Sequence, residues 1–151
     1  MNRSITFIIL LLSFISVSAQ NTQNEPVEIE SKSTKSGDTL KLKINFIVQD
    51  DWMVYDSLGG EQGPIPLSFN NEAVLNLKLI QIKKPKTKHK YDDIFEIDLW
   101  YFTNNVTYEL DFLILDPSVP VSGTILLEYM SCNLTSGVCL PPKLVEVPVT
   151  M

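Results

Sequence analysis

The chain has 151 residues, with 12 Lys and Arg against 18 Asp and Glu, one histidine and two cysteines, for a formal net charge of −6 at pH 7. That acidity gives no electrostatic footprint for a nucleic-acid backbone. One histidine, His89, set in a lysine run, and two cysteines fall short of an ordinary zinc ligand set, so neither metal nor cofactor is expected.

At the N-terminus, Arg3, the apolar run Ile5 to Val17 and the small residues Val17-Ser18-Ala19 read as a cleavable signal peptide over residues 1–19. The run is short and broken by Thr6, Ser13 and Ser16, so no direct membrane span is expected. Export to the periplasm or beyond would put both cysteines in an oxidising compartment. Residues 20–38 are polar throughout and read as a flexible leader. That leaves residues 39–151, enough for one domain.

From Leu40 the pattern changes, and Leu40, Leu42, Ile44, Phe46 and Val48 alternate with Lys41, Lys43, Asn45 and Ile47, the signature of a strand with one buried face. Trp52 to Tyr55 reads as a short strand after the turn at Asp50-Asp51. Gly59, Gly60, Gly63 and Pro64 are turn chemistry, since no Gly-Lys-Ser/Thr follows to make a phosphate loop. Ile65 to Phe69 and Val74 to Ile82 are further strands around a turn at Asn70-Asn71. Lys83 to Lys90, five lysines in eight residues, reads as a solvated, proline-broken loop, with a docking patch for an acidic partner as the other possibility.

Phe95, Ile97, Leu99 and Tyr101 alternate with Glu96, Asp98, Trp100 and Phe102, and Val106 to Ile114 repeats the pattern after a turn at Asn104-Asn105. The prolines of Asp116 to Pro120 end that strand. Thr124 to Met130 and Lys143 to Val149 complete the set, with the cysteine segment between them. No helical period persists. The expected fold is all-β, an immunoglobulin-like antiparallel β-sandwich, with a barrel as the alternative.

There is no Gly-x-Ser-x-Gly elbow and no histidine placed for a triad, so hydrolase chemistry has no visible machinery. The chemistry left is that of Cys132 and Cys139. As a staple, a bridge closing a loop of about 8 residues would stabilise by roughly 2.5 kcal/mol. As a redox couple, two cysteines on an exposed turn suit attack by another thiol. On the residues alone both readings stand: an exchange module, or a non-catalytic binding module with a purely structural disulfide.

The run Tyr129 to Pro142, ending Cys139-Leu140-Pro141-Pro142, resembles the N-terminal periplasmic domain of the membrane thiol-disulfide reductase DsbD. Trp52-Met53-Val54-Tyr55 is similar to that family's aromatic strand, Gly63-Pro64-Ile65-Pro66-Leu67 to a segment of some members, and Tyr91 to Phe95 falls where the family has its cap loop. The likeness spans residues 39 to 149. It implies an immunoglobulin-like sandwich that relays electrons from a thioredoxin-like protein or domain to oxidised periplasmic client proteins, an oxidoreductase-like role without a cofactor. Cys139 would form the mixed disulfide and Cys132 resolve it, with Phe95 as the cap, Asp93 a nearby acid and Tyr55 a neighbouring aromatic. The Cys-x6-Cys spacing is one residue longer than in the best-known member, and Ile94 and Met53 stand where an acid and an aromatic would be expected. With no membrane or thioredoxin-like domain in this sequence, a membrane reductase would serve it in trans.

Overall fold

The structure, a computed structural model, describes residues 25–150. Twelve strands run in chain order among them: β1 (Val27–Ser36), β2 (Thr39–Val48), β3 (Trp52–Leu58), β4 (Ser68–Asn70), β5 (Val74–Leu75), β6 (Leu77–Lys83), β7 (Lys88–Asp92), β8 (Ile97–Phe102), β9 (Val106–Ile114), β10 (Ser122–Tyr129), β11 (Ser131–Asn133) and β12 (Lys143–Thr150). They form three open antiparallel sheets, ordered β1-β2-β9-β6, β12-β10-β4 with β5 also on β10, and β11-β3-β8-β7. No sheet closes on itself, so the architecture is the immunoglobulin-like antiparallel sandwich and not a barrel. No helix among the described residues is long and apolar enough to cross a membrane.

The core lies where the alternation of β2 puts it. Leu40, Leu42, Ile44, Phe46 and Val48 are buried on one face, opposite the buried residues Tyr108, Leu110, Phe112 and Ile114 of β9 in the same sheet. Across the sandwich they meet Ile125, Leu127 and Tyr129 of β10, Val147 and Val149 of β12, and Val54 and Phe102 of the third sheet. Phe46 sits edge-on to three rings, with centroids 5.4 Å from Phe102, 5.5 Å from Tyr108 and 6.2 Å from Tyr129, the geometry favoured by the quadrupoles of aromatic rings.

Two sequence expectations need correction. The polar segment taken for a flexible leader contributes β1, which pairs with β2 from Val27 opposite Val48 to Ser36 opposite Thr39. Composition misled because an edge strand can be held by backbone hydrogen bonds and one or two inward residues, here Val27 and Ile29, while its other side chains stay wet. The domain therefore starts before Thr39; the expected signal peptide at 1–19 lies outside the described residues. Likewise the lysine run is a loop only as far as Thr87. Lys88 to Asp92 is a strand, paired with β8 from Tyr101 to Ile97.

One irregularity shapes the third sheet. Between Tyr55 and Ser57 the pairing of β3 with β8 shifts by a residue, leaving Asp56 as a bulge. Past the bulge the faces exchange, so Leu58 joins Met53 and Tyr55 on the outer face. The Asp56 carboxylate turns inward, where it accepts hydrogen bonds from the Tyr108 hydroxyl, from Ser57 Oγ at 3.0 Å and from Lys84 Nζ at 3.2 Å. Burial, reinforced by this carboxylate, holds the Tyr108 phenol far above its ordinary range.

Candidate functional site: the disulfide on the outer face of the third sheet

Cys132 lies on β11, which pairs with β3 so that Cys132 stands opposite Met53. The chain then reverses through Leu134 to Ser136. Asn133 builds that reversal: its Oδ1 accepts from Thr135 N at 3.1 Å, Ser136 N at 2.8 Å and Ser136 Oγ at 3.0 Å, and its carbonyl accepts from Gly137 N at 2.9 Å. Gly137 closes the turn at φ +72°, a conformation with little steric cost only for glycine. Leu134 N donates to the Asp51 carbonyl at 2.7 Å, tying the turn to the start of β3.

The reversal brings Cys139 back opposite Cys132. Asn133 N donates to Val138 O at 2.8 Å and Leu140 N to Ser131 O at 2.9 Å, so these bonds flank the cysteines, which form a non-hydrogen-bonded antiparallel pair. Side chains approach most closely at such pairs, and here the two sulfurs are bonded, with Cα atoms 4.0 Å apart. The two sulfurs are thus held in register by a backbone hairpin.

The two cysteines differ sharply in environment. Cys132 is 1% exposed and packs in a cluster with Met53, Tyr55 and Leu99, flanked by Leu58, Ile97, Tyr101 and Met130. Cys139 is exposed, between the exposed Val138 and Leu140-Pro141-Pro142. A nucleophile from outside meets the Cys139 residue first, while Cys132 is held in an apolar setting.

Of the sequence-derived candidates, the structure brings Tyr55 and Cys132 into one cluster. Burial raises the Tyr55 phenol above its ordinary value, with smaller contributions from the charge of Asp92 and from Tyr101. Asp93 and Phe95 lie apart from the cysteines, on the exposed turn of the β7–β8 hairpin, which the Asp92 carboxylate tightens by accepting from Ile94 N and Phe95 N. Phe95, 44% exposed, rests against the β3–β4 loop: a Cβ built on Gly63 would stand 3.9 Å from its Cγ and 3.0 Å from Ile97 Cδ1. Phe95 thus adjoins Ile97, at the far end of the Cys132 cluster.

Sequence reading missed Lys90. On β7 it stands opposite Leu99, and its ammonium lies 5.7 Å from the Tyr101 ring centroid and 6.0 Å from that of Tyr55, a cation over two aromatic faces on the cysteine side of the sheet. The signal was the parity of Lys88, Lys90 and Asp92, which the assignment of a loop concealed. Among the described residues no three His, Cys, Asp or Glu side chains are grouped to hold a metal.

The family model described as thiol:disulfide interchange protein DsbD, N-terminal, matches residues 20–150. Among solved structures, the DsbD n-terminal domain of Neisseria meningitidis in the reduced form is similar, at 16% identity and a TM-score of 0.48, over 82% of this chain and 85% of that one. No curated protein matches the chain.

Proposed function

The chain belongs to the family of DsbD N-terminal domains, a thiol-disulfide interchange module with its cysteines bonded here, and on that premise we propose that Cys132 and Cys139 cycle, relaying electrons from a thioredoxin-like donor to oxidised client proteins. In the reduced protein the Cys139 thiolate attacks a client disulfide, forming a mixed disulfide and releasing one client thiolate. The Cys132 thiolate then attacks the Cys139 sulfur; the client leaves as a dithiol and the Cys132–Cys139 bond re-forms. A donor dithiol, itself reduced by a membrane reductase in trans, reverses the bond at the cost of its own oxidation. The compartment is the periplasm, reached through the signal peptide.

The observation that carries this reading is the asymmetry of the pair, an exposed Cys139 bonded to a Cys132 that is 1% exposed. A buried resolving thiol is protected from outside attack yet remains opposite its partner across the hairpin. In this reading Phe95 caps the cluster, Asp93 supplies a nearby acid and Tyr55 an aromatic wall; their support is the family likeness, with Tyr55 packed in the Cys132 cluster and Asp93 and Phe95 on the β7–β8 turn of the same sheet.

Thiol trapping across a DTT redox titration tests it. A couple that cycles is reduced well above about −300 mV, whereas a bridge still oxidised below that potential is a staple. A Cys132→Ser variant should retain partners on Cys139 as mixed disulfides, and Cys139→Ser should retain none.

A further inference from the structure

The molecule has a groove that leads away from the disulfide. Its near part, a cavity of about 220 Å³, is lined by Leu140, Pro141 and Pro142 together with Ser131, Tyr129, Glu25 and Lys143. The last three residues also line a larger cavity of about 700 Å³ running between β1 and β12. The two cavities thus adjoin at Glu25, Tyr129 and Lys143, and the nearer one begins at the residue after Cys139.

The floor of the larger part is apolar. Val27 and Tyr129 are buried in the core, and Ile29 and Val145 pack on it half-buried. Its walls carry the outward residues of the two strands: Glu28 on β1, and Leu144 and Glu146 on β12. Glu25 is paired with Lys143 at 2.9 Å, while Glu28 and Glu146 have no cation within ion-pair distance among the described residues. The groove thus offers two uncompensated carboxylates, one on each wall.

The backbone adds a third element. β12 pairs with β10 on one side only, and among the described residues no strand covers its other edge. Pro148, opposite Thr124, has no N–H to give β10 and belongs at a position whose backbone groups face outward. Leu144 and Glu146 share its parity, so their N–H and C=O groups line the open edge. Leu144, 67% exposed, is the apolar residue of that edge, and Pro148 limits the length free to pair to the segment before it.

We propose that this groove is a client-docking site, taking an extended segment that alternates apolar and basic residues and adds to the β12 edge as a further strand. Apolar side chains of the segment would enter the floor, and basic ones would meet Glu28 and Glu146. The stretch from Cys139 to Lys143 spans at most about 14 Å. A client cysteine a few residues beyond the docked strand therefore reaches the Cys139 sulfur. The inference rests on the exchange reading and adds to it a substrate class, a disulfide flanked by a basic, extended sequence.

The test separates docking from exchange. A fluorescein-labelled peptide with alternating Val and Lys, and Ser in place of its cysteine, is titrated by anisotropy against the oxidised protein, beside a peptide with Glu for Lys. The Lys peptide should bind about ten-fold tighter at low salt, and the preference should vanish in a Glu28→Lys/Glu146→Lys variant. Equal binding of the two peptides, or a preference that survives in the folded double variant, overturns the proposal. So does a concentration-dependent dimer that protects the Leu144 and Glu146 amides from exchange, which would give the groove to a second copy. In parallel, the reduced protein is mixed with oxidised glutathione. A wild-type protein that binds the Lys peptide but does not exchange with oxidised glutathione retains the docking site and loses the redox reading.

Discussion

Strands β3 and β8 bury side chains on both faces, and the two faces are built differently. Inward, Val54 and Phe102 join a core enclosed by all three sheets, in which Phe46 is ringed by aromatic partners. Outward, only Met53, Tyr55, Leu99 and Cys132 are buried, and the margin is left to Tyr101, Lys90, Phe95 and the Cys139 turn. A cluster that small adds little to stability beside the main core. What it does is keep one cysteine dry while its partner faces water, a difference that a sandwich needing only a core has no cause to build.

If the inner face carries the fold, Phe112→Ala should cost about 3–5 kcal/mol, because the ring is fully buried and the cavity collapses only in part. Chemical denaturation measures it, and a loss under about 1 kcal/mol would mean that the core is not where stability resides. Opening the disulfide acts on the outer face. Cys139→Ser should cost roughly 2.5 kcal/mol from loop closure, so amides of β2 and β9 that exchange through global unfolding should speed up about 70-fold and those of β11 by more; equal acceleration in β11 and β2 would make the two faces one unit.

The junction between the faces is Asp56. Its replacement by Ala orphans the buried Tyr108 hydroxyl at a cost of about 1–3 kcal/mol, and adding Tyr108→Phe should restore part of that, since removing both partners is cheaper than stranding one. No recovery in the double variant would place the stabilisation in the bulge backbone instead of the hydroxyl.

The two faces were not equally legible in the sequence. β2 and β9 declare themselves because one side is buried and the other wet, so hydrophobicity alternates with the pleat. The third sheet defeats that rule. β3 is buried on both sides from Met53 to Asp56, and the bulge then exchanges its faces, a register shift that no local pattern encodes. β7 hides behind its lysines, although Lys90 lies over aromatic rings. The cysteine motif could be read, but the turn that Asn133 and Gly137 build around it was not assigned to those residues. The division into a buried and an exposed cysteine could not be read, because it depends on β11 pairing with β3, far away in the chain.

The smallest effect on stability is expected at Phe95, where the outer face is most open. With the ring 44% exposed and seated on the Gly63 loop, Phe95→Ala should cost no more than about 1 kcal/mol. Its effect on rate should be larger if the hairpin tip guards the cluster: reduction of the disulfide by DTT, followed by stopped flow, should accelerate several-fold while the melting temperature barely moves. Dissociation of rate from stability is the point, because a residue that only packs changes both together or neither. An unchanged rate would leave Phe95 as the end of the Ile97–Leu58 packing and return the control of access to the Cys139 turn itself, where Leu134 and Val138 already stand exposed around Cys139.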